Sequence, residues 1–316
     1  MQGQSQEGDG IDAQVQPPTP FVRLRTPNIV SLQTMMVVFK RENRHKHIVI
    51  KFEPDSMNLY LISGDMQCVV YAEISREAMQ GAGTYECPQR CSAAVLLQDL
   101  CRVLQQAKRT NIVTLEVVPS TNPERVMRIW ITNPSNQQES MHDLHVLEAN
   151  DETLRFPPTE GYDYVTVTLG SDELQKNFRI ANHGQDSDGV FTTYVTNQNI
   201  YFQMVSDSQK SSVSCPIQGD EVDAPLDPRR IAESPYAFRH LLIMTKASKI
   251  NNTITLMICP GRPLIVMYDA VLLGKLVMYI TPSKDISARH VAAHEEMIRA
   301  RMAGLQQMPA LASLSP

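Results

Sequence analysis

Little in this chain points to covalent or metal chemistry. Six cysteines in 316 residues (Cys68, Cys87, Cys91, Cys101, Cys215 and Cys259) are too few and too scattered for a disulfide scaffold. With no signal peptide ahead of them, they read as reduced thiols of an intracellular rather than secreted protein. Cys87 and Cys91 are close enough in sequence to share a metal ion, but two ligands do not make a zinc site. No apolar run reaches the ~18–20 residues of a membrane span, and Lys275 interrupts the best candidate. A Gly-rich phosphate loop, a nucleophile elbow and a carboxylate pair with a plausible base are all missing, so neither an enzyme nor a cofactor is expected. Charge is not extreme either. A net charge of −5 excludes a protein that binds nucleic acid with its whole surface, so any polyanion site must come from local arrangement.

What is present is alternation. Residues 1–20 are rich in Gln, Gly and Pro without apolar periodicity, which predicts a disordered arm. A strand pattern at Phe21–Thr26 precedes a helix over Asn28–Arg41 and three β-patterned runs, His47–Glu53, Asn58–Ser63 and Cys68–Ile74. After a turn at Gly81–Gly83 and a short run at Thr84–Cys87, a second helix is expected over Ser92–Arg109. Strands Ile112–Val118, Arg125–Thr132 and Ser140–Leu147 follow. Residues 148–163 break the periodicity with acids, two prolines and a glycine, and read as the linker between a first domain, 21–147, and a second, 164–284. The tail, 285–316, has helical composition before a disordered end. His290 and His294 stand i, i+4 in it, but no third ligand is near and a solvated tail is the expectation.

Beyond the linker the pattern begins again. Tyr164–Thr168 repeats Phe21–Arg25, and a helix follows each time, here over Asp172–Asn182. NIYFQMVSD at Asn199–Asp207 answers NLYLISGD at Asn58–Asp65, and NTITL at Asn252–Leu256 answers NIVTL at Asn111–Leu115. The offsets between halves are 143, 141 and 141 residues. A near-constant offset over three separated segments implies two like-built domains in tandem. With few helices and mostly hairpin-length connections, each is expected to be α+β, an antiparallel sheet carrying both helices on one face.

The most telling stretch is Ser234–Pro282. A helix capped by Ser234, with Pro235 in its first turn, carries Arg239, Lys246 and Lys249 and no acid before Lys249; strand patterns at Thr253–Cys259, Leu264–Tyr268 and Lys275–Ile280 follow. Over the four expected helices there are ten bases (Lys40, Arg41, Arg102, Lys108, Arg109, Lys176, Arg179, Arg239, Lys246 and Lys249) against three acids. The remainder of the chain therefore carries −12. Basic helices on an acidic body suggest one surface made for a polyanion.

Several segments resemble the sliding clamps of the proliferating cell nuclear antigen family. FRHLLIMTKASKINNTITL at Phe238–Leu256 is similar to that family's last basic helix and next strand. RPLIVMYDAVLLGKLVMYITP at Arg262–Pro282 resembles its closing strands, GSDELQKNFRIAN at Gly170–Asn182 its second-domain first helix, and LRFPP at Leu154–Pro158 its linker. The match is good in the second half and loose in the first, marking a divergent member; a large DNA virus and a distant eukaryote both stand open as sources. The resemblance implies two tandem DNA-clamp (processivity-fold) domains and a homotrimeric ring whose helices line a channel around double-stranded DNA. It brings sequence-independent phosphate contact, a non-enzymatic role in replication and repair, and a nuclear or viral replication site. Lys176, Arg179, Arg239, Lys246 and Arg102 match basic channel positions by the resemblance, whereas Lys40, Arg41, Lys108, Arg109 and Lys249 follow from helix placement. One departure is Leu32 and Gln33, which stand where the family usually has lysines.

The resemblance also implies a pocket for a short aromatic-ended peptide of a DNA polymerase or other partner. It would be built from Leu154, Phe156 and Pro157 of the linker, Ile62, Met66 and Val69 of the first domain, and Pro263, Tyr279, Thr281 and Pro282 of the second. For Phe156, pocket wall and mere linker pin are equal readings. A clamp loader is a further partner that the resemblance brings in, with no membrane partner. Subunits would join edge to edge, Glu139, Met141, Asp143, His145 and Leu147 of one chain beside Ser211, Val213, Cys215 and Ile217 of the next. His142 and His145, three apart on a strand, fall on opposite faces and are not expected to be ligands. Two other classes stay open: a clamp-fold monomer or dimer that holds DNA on one basic face, and a metal-dependent enzyme using Cys87 with Cys91 or His290 with His294.

Overall fold

A computed structural model describes residues 20–42, 47–118, 125–147, 149, 156, 158–181, 189–196, 198–205, 210–218 and 235–283. The expected N-terminal arm, most of the linker with Leu154 and Pro157, the cap residue Ser234, and the tail with its histidine pair lie outside these residues.

The first half runs β1 (Val22–Thr26), α1 (Ile29–Glu42), β2 (His47–Phe52), β3 (Ser56–Ile62), β4 (Cys68–Ser75), β5 (Thr84–Glu86), β6 (Cys91–Leu96), α2 (Leu97–Leu104), β7 (Ile112–Val118), β8 (Val126–Asn133) and β9 (Gln138–His145). The second runs β10 (Val165–Gly170), α3 (Ser171–Ala181), β11 (Val190–Val195), β12 (Asn199–Val205), β13 (Lys210–Pro216), β14 (Tyr236–Ala237) and α4 (Phe238–Met244). A 3-10 turn (Thr245–Lys249), β15 (Thr253–Ile258), β16 (Leu264–Ala270) and β17 (Gly274–Ile280) complete it. The strands alternate as a half-buried sheet requires: Val22, Leu24 and Thr26 of β1 face the core while Arg23 and Arg25 face out.

Among the described residues all strand pairing is antiparallel, in three sheets ordered β5-β1-β7-β8-β9, β10-β15-β16-β17-β4-β3-β2-β6 and β13-β12-β11-β14. The fold is therefore mixed α+β with few helices. The repeat read from the sequence reappears as equivalent registers: Leu24 pairs with Leu115 and Val167 with Leu256. The sheets are not one per half, however. Strand β17 pairs with β4 from Gly274 beside Ile74 to Ile280 beside Cys68, so one eight-stranded sheet crosses from one half to the other. Gly274 makes that approach feasible. Its φ is +144°, and a Cβ there would fall 1.8 Å from the Glu73 carbonyl oxygen. Lys275 and Glu73, 3.0 Å apart, tie the same seam with an ion pair.

Two expectations for the helices fail. Ser92–Leu96 is strand, because CSAAVL pairs along its whole length with β2, and tertiary pairing overrides alanine's helical preference. Helix α2 consequently ends at Leu104, and Lys108 and Arg109 sit in the turn beyond it, where the Asn111 side chain accepts the Lys108 N–H at 2.6 Å. The last basic helix starts later than expected. Tyr236 and Ala237 pair with β11, so the N-cap is Ala237, without a side-chain cap, and Pro235 precedes the strand.

The helices pack on one another as a single layer, α1 against α2, α4 and the 3-10 turn, and α3 against that turn. Rings anchor the second-half helices to their sheet: Phe178 of α3 meets Phe202 at 4.9 Å and Phe238 at 6.3 Å, and Phe191 meets Tyr236 at 5.4 Å. Two glutamines do matching work between helices. The Gln33 amide donates to the carbonyls of Leu104 (2.7 Å) and Ala107 (2.9 Å), and the Gln175 amide donates to that of Thr245 (2.7 Å). Each satisfies carbonyls left open where its partner helix ends.

Candidate nucleic-acid interface

Where α1, the end of α2, the end of α3 and the 3-10 turn converge, they leave an open cavity of about 520 Å³. Its floor is apolar, with Met36, Cys101 and Leu104 buried beneath half-exposed Val30 and Val37. Its rim is cationic. Arg41 comes from the last turn of α1, Arg179 from the last turn of α3, and Lys246 and Lys249 from the 3-10 turn. Cations at helix C-termini are favoured by the helix dipole, which explains how several can be stationed together. Two of these charges bear on a third. The Lys246 ammonium is held below its ordinary value of 10.5, first by burial, then by the Arg41 and Arg179 charges. Among the described residues that line it, there is no carboxylate.

Of the ten bases expected on this surface, four thus meet at one cavity, from both halves of the chain. Lys40 and Lys176 are exposed on α1 and α3. Arg102 is exposed and pairs with Asp99 of its own helix at 3.2 Å, an interaction weak enough to yield to a phosphate. Lys108 and Arg109 are exposed in the turn after α2 rather than on a helix. Arg239 departs from expectation. Its guanidinium pairs with Asp65 in the β3–β4 loop and lies 3.5 Å from the Gln67 side chain, while buried His240 places Nε2 3.2 Å from the same carboxylate. It fastens α4 to the first half instead of joining the cationic rim. Leu32 and Gln33, the departure noted in the sequence, have structural roles: Leu32 is buried in the core, and Gln33 holds the end of α2.

The expected peptide pocket is partly drawn together. Phe156 lies edge-on to Tyr71 (4.8 Å between centroids) and stacks on Tyr279 (5.3 Å). Val69 and Tyr279 are direct partners across the β4–β17 seam. Met66 is 77% exposed with φ of 59°, at the tip of a loop whose Gln67 carbonyl accepts both the N–H (2.8 Å) and the hydroxyl (3.0 Å) of Thr281. Ile62 is exposed, whereas Pro263, Thr281 and Pro282 are half-buried. Sequence reasoning missed Tyr71, although it follows Val69 by two strand positions and so had to share its face. Its hydroxyl contacts Asn58 (2.9 Å) and Glu73 (3.0 Å), and burial, reinforced by the Glu73 charge, pushes its pKa up.

Strands β9 and β13 both lie at sheet edges. On β9, Glu139, Met141, Asp143 and His145 are exposed, as is Leu147 just beyond, but Asp143 is held in-chain by Arg128 at 2.9 and 3.0 Å. Leu147 also bridges back to Ala94. On β13 the named side chains turn inward. Val213, Cys215 and Ile217 point to their own core, with Ser211 half-buried on the same alternate, and the exposed positions are Lys210, Ser212, Ser214 and Pro216. Besides the backbone of that edge, these exposed side chains are what it presents.

Cysteine chemistry finds no foothold. Burial pushes the Cys87 thiol up, and burial followed by the Cys87 charge pushes Cys91 up to about 11, the reverse of a reactive or metal-ready thiol. Among the described residues, no group of three or more potential ligands is assembled for a metal. Also among them, no helix is long and apolar enough to cross a membrane.

A mixed α+β chain of antiparallel sheets, with its few helices in one layer, is consistent with the clamp-like class of proteins. By sequence it is similar to the proliferating cell nuclear antigen of Chaetomium thermophilum, 24% identical over 208 residues that span 64% of this chain and 77% of that protein. That likeness supports a clamp-like protein at the level of the family; it gives no support to a viral source. No protein-family model matches the chain.

Proposed function

We propose that this protein is a DNA sliding clamp, a non-enzymatic processivity factor that encircles duplex DNA as a ring of three and tethers a polymerase. The observation that carries the reading is the cationic rim of Arg41, Arg179, Lys246 and Lys249, drawn from both halves onto one helical layer. Such a surface meets phosphates without reading bases, so the protein can move along the duplex. Closure would come from backbone pairing of the β9 and β13 edges, head to tail. Partner peptides would dock where Phe156, Tyr71 and Tyr279 meet, and the workplace would be the replication site, nuclear in a eukaryote.

Light scattering coupled to gel filtration tests closure directly: a ring of three has about three times the 35.5 kDa of one chain. Retention on circular DNA with release on linearisation completes the test. A monomer or dimer that binds circular and linear DNA alike replaces this reading with that of an open clamp-fold protein.

A further inference from the structure

We propose that the interhelical cavity is also a discrete site for a small polyphosphate anion, separate in chemistry from duplex binding. Four observations converge on it. The cavity is concave and of the size of a small-molecule site, about 520 Å³, rather than a flat track. Its four cations come from three elements, and none of them forms an ion pair with a described residue. The other polar groups of the lining are largely spent within the fold: the Gln33 and Gln175 amides hold helix-end carbonyls, and the Thr34 hydroxyl donates to the Val30 carbonyl at 2.6 Å. Lastly, the cations oppose one another, as the lowered proton affinity of Lys246 records. Like charges gathered without a counter-charge destabilise the fold, and a compact anion of several charges relieves all of them at once. A run of linked phosphates has that density, and guanidinium forks suit its oxygens. Since Arg41 belongs to the first half and the other three to the second, the bound anion would brace one half against the other.

The inference shares residues with the clamp reading but does not depend on a ring. The probe is inorganic tripolyphosphate, titrated into the intact protein by calorimetry and followed by thermal unfolding, with sodium chloride at matched ionic strength as control. Saturable binding and a rise of roughly 2 °C or more in the midpoint are expected, absent with chloride. Arg41→Ala with Lys246→Ala should weaken binding at least ~10-fold and abolish the rise. Exposed Lys249→Ala, which leaves the helix packing untouched, should weaken it in the same direction. Lys246→Arg should keep binding but lose the proton uptake that alkaline buffer reveals in the native protein. Lys176→Glu with Arg102→Glu, outside the cavity, should impair duplex association and leave tripolyphosphate affinity unchanged. If that pair leaves duplex association intact, the clamp reading suffers and this one does not. A nucleoside triphosphate distinguishes the source: tighter binding than tripolyphosphate places a base on the Met36–Leu104 floor, and equal binding assigns the site to phosphate alone; both results retain the site. Binding that is unsaturable, matched by chloride, or undiminished in the Arg41/Lys246 variant overturns it.

Discussion

Replacing Arg41, Arg179, Lys246 and Lys249 together by alanine should change how DNA affinity depends on salt, not only its value. All four line one cavity, and the Arg41 and Arg179 charges both act on Lys246, so a duplex lying on the helical layer meets them as a group. If each meets one phosphate, the slope of log affinity against log salt becomes shallower by about 0.9 per residue, about 3.6 per chain. Between about 50 and about 200 mM salt, the advantage of the native protein over the variant should then shrink roughly 150-fold. Fluorescence anisotropy with a short labelled duplex, repeated over a salt series, reads the slope. Arg128→Ala is the control, because its guanidinium is occupied by Asp143 far along the β8–β9 hairpin. A slope that stays put in the quadruple variant, or that moves as much in the control, refutes the placement of DNA on this layer.

Phe156→Ala removes two ring contacts, each worth about 0.5–1.5 kcal/mol, so urea unfolding should show a loss of about 2 kcal/mol. Calorimetry with an aromatic-ended peptide should also register weaker binding, and unchanged affinity would leave Phe156 as a linker pin only. Gly274→Ala must shift either β17 or the Glu73 backbone and should cost about 3 kcal/mol or more; Gly81→Ala, strained but in open space, should cost about 1 kcal/mol. Equal losses in denaturant would mean that the seam is not tight. Lys246 gives a pH signature. Its folded pKa lies below the unfolded value of 10.5, so its penalty is fully present at low pH and fades as pH rises through that window. Stability of native protein relative to Lys246→Gln should therefore climb toward pH 10.5, and a flat or falling difference contradicts the crowding of charges.

Strand positions were legible because half-buried strands announce themselves by alternation: Ile112–Val118 emerges with the limits read from sequence. The constant offset between halves was legible too, since equivalent pairings such as Leu24 with Leu115 and Val167 with Leu256 need equivalent residues. Hidden from view was everything set by a distant partner. Ser92–Leu96 looks helical until β2 pairs with it, and Arg239 looks like a channel base until Asp65 arrives from 174 residues away. The resemblance places Val213, Cys215 and Ile217 on an edge that joins the next subunit, but which face of that edge is covered depends on α3, which packs against it. One signal was present and unused. Gln33 and Gln175 sit 142 residues apart, in step with the repeat, and their partners Leu104 and Thr245 keep that step at 141. A polar residue recurring at the repeat period in two helices marks a shared internal bond.

The position of β17 has a bearing on biosynthesis. It is the last strand of the described residues to be made, yet it lies between β16 and β4, in the interior of the widest sheet. Until the ribosome has released residue 280, the N-terminal portion carries a bare row of amides and carbonyls along β4, the kind of border that recruits neighbouring chains. A nascent or prematurely truncated chain should therefore be the sticky species in the cell, held by a chaperone until its final strand closes the gap.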